Sequence, residues 1–366
     1  VSQRIGDEDT DGAERVATTG VLVAAVFGLV ASTLGVLWGP QLIGVLTSVR
    51  PQGADTSVVS TAGMYLSAVS AGIVVASLSD GLEAVSVGQG DSRPALVANA
   101  AAVLVNAILD PLLIFSVGPL DGYGVFGAGV AMVCGFGASF LVLIYYVLSR
   151  GDFLISFGRD RLSFDAFRRV FYVGAPVSSQ SAMSYVAQLV VAIVMFRIGG
   201  TAGLAAYAVG SRALSVASQP SHGYQQALQT IVAQNLGANQ IDRARRSVRL
   251  GLALSVVAMA ALAVTQWVFA GAIVRTLAPS MVGQAFDIAR YGVQTLALGY
   301  PAIAIHYVIE AAFGGASMTD LQFKFGIVKN WILFLPGVLA LGPVSVFLAQ
   351  MLANVGVAVV ISGLTS

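Results

Sequence analysis

Asn106, Ala107, Asp110 and Pro111 stand together in the run Asn106-Ala107-Ile108-Leu109-Asp110-Pro111, inside a largely apolar stretch. A carboxylate inside such a stretch is expensive in hydrocarbon unless paired or hydrated, so function is its default reading. Asn106 falls one helical turn before Asp110 and on the same face. Pro111 has no N–H, so the carbonyl of Ala107, four residues back, loses its helical donor. Carboxylate, amide oxygen and free carbonyl together suit a hard cation such as sodium. The carboxylate alone can instead carry a proton. The alternative is a polar pair at the outer end of the helix, near the membrane interface.

Other polar groups interrupt the apolar sequence. Arg212 is taken as the one base inside a span, and a buried guanidinium needs a partner, for which Glu310 or helix-end carbonyls are candidates. Gln180, Gln188, Gln225, Gln226 and Gln229, with Tyr185, Tyr207 and Tyr224, either line a central cavity or bond helix to helix. Gln180, Tyr207, Arg212 and Glu310 are the candidates for cavity or gating roles. Glu83 and Glu310 sit close to expected cytoplasmic loops, which suggests that both face water or loop arginines. Asp80, one turn from Glu83, shares that expectation. His306 reads as a hydrogen-bonding residue within a span, and Cys134 as packing. The acidic run Asp7, Glu8, Asp9, Asp11 and Glu14 reads as a solvated loop or a helix N-terminus complementing its dipole.

Composition sets the solvent these groups work in. Hydrophobic residues make up 57% of the 366 positions and charged residues 10%, too few charges to cover a water-facing surface. The 41 glycines favour close helix packing in lipid. One cysteine excludes an internal disulfide, and two histidines make a zinc or haem centre a poor fit. No cofactor is expected beyond a coupling ion, Na+ or H+. The net charge of +1 comes without the basic stripe that nucleic acid requires.

Apolar runs of membrane-crossing length predict ten spans, at 14–38, 59–86, 94–116, 124–149, 170–196, 203–232, 247–274, 287–313, 322–341 and 344–366. Pro111, Pro176, Pro220, Pro301 and Pro336 fall inside them, which membrane helices tolerate. The bases crowd into alternate gaps. Arg4, Arg15, Arg93, Arg150, Arg159, Arg161, Arg168, Arg169, Arg243, Arg245, Arg246, Arg249, Lys324 and Lys329 form one set, against Arg50, Arg197, Arg275 and Arg290 in the other. The richer set marks the cytoplasmic side.

The chain also repeats itself. Ser2-Gln3-Arg4-Ile5-Gly6, then Gly12-Ala13-Glu14-Arg15, is echoed by Ala233-Gln234-Asn235-Leu236-Gly237, then Ala244-Arg245-Arg246, with Gly6 and Gly237 231 residues apart. Gly63 pairs with Gly292, Glu83 with Glu310, Asn106 with Asn330 and Pro111 with Pro336. An offset of this length points to two related membrane lobes rather than a solenoid. The expected fold is an all-α integral membrane protein of two six-helix lobes, related by a pseudo-two-fold along the membrane normal. Residues 1–150 give the first lobe (helices 3–6), 151–169 a cytoplasmic linker and 170–366 the second lobe (helices 7–12). On this reading ten of twelve helices are present and the first two are missing, with which a start at Val1 agrees.

Particular strings carry a resemblance. Asn106 through Phe115, followed by Gly124-Val125-Phe126-Gly127-Ala128-Gly129-Val130-Ala131, is similar to the fifth and sixth helices of the multidrug and toxic compound extrusion (MATE) family. Gln89-Gly90-Asp91-Ser92-Arg93 resembles the preceding loop, and Pro220 through Ala238 the eighth helix with its Gly-Ala loop. The resemblance spans essentially the whole chain. It implies export of organic cations and drugs by alternating access, against inward sodium or protons, with no enzymatic step. The protein would then be a monomer in the plasma membrane of a prokaryote. In the archaeal and DinF-like branch an Asn-x-x-x-Asp pair on helix five serves a cation site, and Asn106 and Asp110 match it. The family's threonine on helix six falls near Met132, which is a departure. Between Arg169 and Arg212 there is no glutamate, which disfavours the branch that carries one on helix seven. A lipid-linked oligosaccharide flippase on the same plan is the alternative, although it calls for several cavity arginines. A scaffold or intramembrane enzyme is a third, and the spans hold no Ser/His/Asp or metal constellation for it.

Overall fold

A computed structural model describes residues 1–48, 56–115, 122–149 and 164–336, together with Leu352. These residues are helical apart from short turns. They run α1 (Ser2–Gly6), α2 (Thr10–Ser48), α3 (Thr56–Gly88), α4 (Arg93–Ile114), α5 (Gly124–Ser149), α6 (Phe164–Gly237), α7 (Ile241–Val268), α8 (Ala270–Leu277), α9 (Gly283–Leu298), α10 (Tyr300–Gly315) and α11 (Thr319–Ile327), followed by a π-helical segment, Val328–Phe334. The chain divides into two compact units, Val1–Val170 and Phe171–Ser366. Six helices among the described residues are long and apolar enough to cross a membrane, or seven if the bent pair α9 and α10 counts as one span. Leu22, Phe27, Leu104, Ile108, Leu254 and Val264 are exposed, as side chains facing lipid should be.

In the first unit α2 packs along α3, and α5 packs on both α3 and α4. Small residues set the spacing. A Cβ added at Gly35 would fall 2.3 Å from Ser70 Oγ, and one at Gly28 would fall 2.7 Å from Ser77 Cβ. Without a hydrophobic drive between helices in lipid, such close approach is what holds α2 to α3. A core of Ala17, Val21, Leu82, Val85, Ala98 and Leu143 closes one end of the unit. Ahead of it Asp9 Oδ1 accepts the Gly12 N–H at 2.9 Å, so one member of the acidic run starts α2. The Arg4 guanidinium donates to the other carboxylate oxygen of Asp9.

The second unit departs from the expected straight spans. Within α6 the backbone kinks at Gly200 (φ 58°, ψ −151°), a conformation open essentially only to glycine, which separates 164–199 from 201–237. The expected linker 151–169 lies outside the described residues up to 163, and from Phe164 it is already helix. The span expected at 287–313 is two helices, bent by 51° at Gly299. Pro301 explains the break, because it cannot donate to the preceding turn and sits where a new helix begins. The span expected at 322–341 starts earlier, at Thr319, and widens into the π segment. The expected span 344–366 lies outside the described residues, Leu352 excepted.

Candidate functional site

The described residues hold two polar constellations, one in each unit. In the first, α4 carries Asn106, Ala107 and Asp110, with Pro111 inside the helix. Leu104 and Ile108 point outward, while Asn106 and Asp110 are partly buried. Gly135 of α5 is pressed against the Asn106 amide, where an added Cβ would stand 2.7 Å from Nδ2. Asn106 is therefore held from the side, yet its buried Oδ1 has no hydrogen-bond partner. Asp110 sits one turn before the end of α4, at the negative pole of the helix dipole. A carboxylate and an unused amide oxygen both point to a positive ligand. Ala107 is at the surface of the helix, and its contribution is the carbonyl that Pro111 cannot bond. Met132, at the position where the resemblance expects threonine, receives the Tyr65 hydroxyl on its sulfur at 3.7 Å.

The second constellation centres on Glu310 of α10. Gln180 Nε2 donates to its Oε1 at 2.8 Å and Gln225 Nε2 to its Oε2 at 3.1 Å. His306 Nε2, one turn earlier on α10, approaches Oε1 to 3.4 Å. Gln322 Nε2 of α11 donates to the Glu310 backbone carbonyl at 2.5 Å. Asn330 Nδ2 in the π segment donates to Ser184 Oγ at 2.8 Å. The Tyr307 hydroxyl and His222 Nε2 are 2.9 Å apart. Gly326 makes room for this arrangement, since a Cβ there would meet Gln180 Cγ at 2.5 Å.

These contacts revise several expectations. The Glu310 side chain is 15% exposed and bonded to helix residues, so it is not a water-facing acid at a loop. Glu83, expected to face water or loop arginines, accepts from Asn99 Nδ2 at 3.1 Å in an exposed setting. Arg212 is exposed and is not among the partners of Glu310. Nor is it the one base within a helix. Lys329, grouped above with the loops, lies in the π segment. Gln180 and Glu310 are brought together. Tyr207 instead leans on the core of Val191, Met195, Leu296 and Phe334 and bonds to Ser211. The signal for Lys329 was present in the sequence, since it falls seven residues inside the expected span 322–341.

A family model described as MatE matches residues 1–112 and 176–338, well over half of the chain. The chain belongs to the MatE family. Relatives in this family include a FAD transporter of Shewanella oneidensis, 29% identical over 170 residues, 44% of this chain and 36% of that protein. Another is the probable multidrug resistance protein YoeA of Bacillus subtilis, 26% identical over 194 residues, 50% of this chain and 40% of that protein. The matched part thus spans well under half the length of either relative. Among solved structures, an outward-facing multidrug resistance MATE transporter of the MOP superfamily superposes with a TM-score of 0.85 at 19% identity, over 98% of this chain and 79% of that one. A MOP superfamily transporter from Pyrococcus furiosus, for which a reversed polarity of the binding pocket is described, gives 0.86 at 19% identity over the same shares. The all-helical membrane fold of this chain is that of the MATE transporters.

Proposed function

We propose that this chain is a secondary active exporter that moves small amphipathic organic cations outward in exchange for sodium or protons by alternating access. One observation carries the coupling part: Asn106 Oδ1 is buried without a partner, one turn from Asp110. An acceptor left unmade in a membrane interior costs free energy that a bound ion recovers. Sodium would take Asn106 Oδ1, the Asp110 carboxylate and the Ala107 carbonyl, and a proton would take Asp110 alone. Either ligand neutralises the carboxylate and thereby shifts the balance between outward-open and inward-open states, which is the differential affinity that coupling requires. The match of Asn106 and Asp110 to the archaeal and DinF-like pattern supports the assignment to that branch. YoeA, by its name, supports drug efflux, and the FAD transporter supports trial of a flavin dinucleotide as a second solute. An oligosaccharide flippase gains no support from Arg212, which is exposed. The protein acts as a monomer in the plasma membrane of a prokaryote, without a cofactor.

The test uses inside-out vesicles holding the full-length protein and a fluorescent cationic dye. A sodium pulse and a collapse of the proton gradient are applied in turn, and Asp110→Asn is compared with wild type. Ion-driven dye movement that disappears in Asp110→Asn is expected, and the effective pulse names the ion. Movement that survives the substitution sinks the assignment of Asp110. Absence of dye movement in the correctly inserted wild type sinks the exporter reading.

A further inference from the structure

The first turns of α7 carry four arginines, Arg243, Arg245, Arg246 and Arg249, against one acid, Asp242. All five are exposed. Arg243 is engaged with Gln240, donating to its Oε1 at 2.7 Å. Arg245, Arg246 and Arg249 have no side-chain partner among the described residues, and Asp242 forms an ion pair with none of them. Topology does not ask for so many bases here. At the offset of 231 residues, Glu14, Arg15 and Thr18 of α2 hold the places of Arg245, Arg246 and Arg249. The equivalent helix thus does with one base beside one acid, and its Thr18 is buried where Arg249 is exposed.

The rest of the helix fixes where these side chains stand. Ala244, Gly251, Ser255, Met259 and Gln266 form the buried face of α7. That face packs on α10 and α9, with Met259 against Tyr300, Ile303 and Ala304. The opposite face runs Arg246, Arg249, Leu250, Leu254, Val257 and Val264, all exposed and at helical spacing. Below the arginines it is apolar, as a face against acyl chains must be. Trp267, half-exposed on the same face, follows Arg249 by 18 residues, about 27 Å of helix. A bilayer's hydrocarbon is about 30 Å thick. Indole at one end and guanidinium at the other are side chains that settle at the two interfaces. The stripe therefore sets Arg246 and Arg249, with Arg245 beside them, at the level of the lipid phosphates, on the side that the arginine count assigns to the cytoplasm. We propose that Arg245, Arg246 and Arg249 form a binding site for the headgroups of anionic phospholipids in that leaflet. Guanidiniums offer paired donors to phosphate oxygens, while Leu250 and Leu254 meet the acyl chains below. With no carboxylate to neutralise them, the three bases favour a headgroup of net negative charge over a zwitterionic one. This inference rests neither on the assignment of Asp110 nor on the solute carried.

The test reads lipid contact in the bilayer. Cys134→Ser removes the one cysteine of this chain, and Leu254→Cys then carries a bimane label just below the arginines. A second labelled protein carries Leu22→Cys on α2 instead, as the comparison. Each full-length protein is reconstituted in phosphatidylcholine vesicles holding a small fraction of spin-labelled phosphatidylglycerol or, separately, of spin-labelled phosphatidylcholine. At low salt the label at 254 should be quenched several-fold more by the anionic lipid, and that excess should shrink as salt rises. The label at 22 should show a much smaller excess. Replacing Arg245, Arg246 and Arg249 together by glutamine should abolish the excess at 254, and replacing them by lysine should keep most of it. Absence of an excess at 254 in the arginine-bearing protein overturns the proposal. So does an excess that survives the triple glutamine substitution, or one that is equal at 22. An excess removed by soluble pyrophosphate at matched ionic strength would give the cluster to an anion from solution and overturns the lipid reading. If the triple variant does not insert, Arg246→Gln and Arg249→Gln decide singly. Each should lower the excess in part, and no change in either overturns the proposal.

Discussion

Replacing Gly326 by alanine should destabilise the protein, and removing the Gln180 side chain should abolish or reverse that effect. A Cβ at 326 would stand 2.5 Å from Gln180 Cγ, 2.8 Å from Cδ and 2.9 Å from Nε2. The nearest atom is in the middle of the side chain, so a rotation of the amide tip cannot relieve the clash. Gln180 must leave Oε1 of Glu310, losing a hydrogen bond to a charged group worth about 1.5–3 kcal/mol. Residual crowding adds about 1 kcal/mol. Alanine in place of glycine within a helix returns about 1 kcal/mol. The net loss is therefore about 1.5–3 kcal/mol in the wild type. In a Gln180→Ala background only the helix term remains, and Gly326→Ala should be neutral or stabilising by up to about 1 kcal/mol. The coupling between the two positions is then about 3 kcal/mol. Unfolding in mixed micelles, followed by tryptophan fluorescence, measures all four corners of the cycle. Equal destabilisation by Gly326→Ala in both backgrounds would refute the reasoning, because the clash would then lie elsewhere. A neutral result in the wild type would refute it too, by showing that Gln180 moves aside freely.

Gly135→Ala should displace the Asn106 amide and raise the ion concentration needed for half-maximal transport, and Asn106→Ala should do the same. An unchanged ion dependence in vesicles would mean that Asn106 Oδ1 is not a ligand. Phe334→Ala should cost about 3 kcal/mol, the low end for an aromatic truncation, because in lipid chiefly the packing part is lost. Phe334 is 2% exposed among Val191, Met195 and Leu296, so a loss below about 1 kcal/mol in the same unfolding assay would contradict that packing. Asp9 lies outside the spans, and its carboxyl is held below the usual range, first by the Gly12 N–H and then by Arg4. A depressed acid contributes stability above its unfolded pKa that is lost as pH falls through the folded value. Asp9→Asn should therefore speed hydrogen exchange in the first turn of α2 near neutrality, and the difference from wild type should vanish in strong acid. A difference that persists there would mean that charge is not the cause.

The sequence by itself determined the membrane helices, the family and the first polar constellation. Long apolar runs must be helical in lipid, because no water satisfies the backbone there. The pairing of Asn106 with Asp110 needs only helical spacing, and the freeing of the Ala107 carbonyl needs only proline chemistry. Such local rules also foretold that residues near 200 would divide two spans, although the kink at Gly200 is a matter of its φ. The second constellation was decided by tertiary structure. Gln180, Gln225 and Gln322 reach Glu310 from three separate stretches of chain, and no periodicity links them to it. The break at Gly299 turns α10, and the widened helix after Ile327 carries Lys329 inside rather than at a loop. Hydropathy averages over a window and registers one lysine as a small interruption. Whether a charged residue faces lipid, water or protein is set by the packing of its neighbours, which is why Glu310 reads in sequence as a surface acid and in the structure as the centre of a buried polar network.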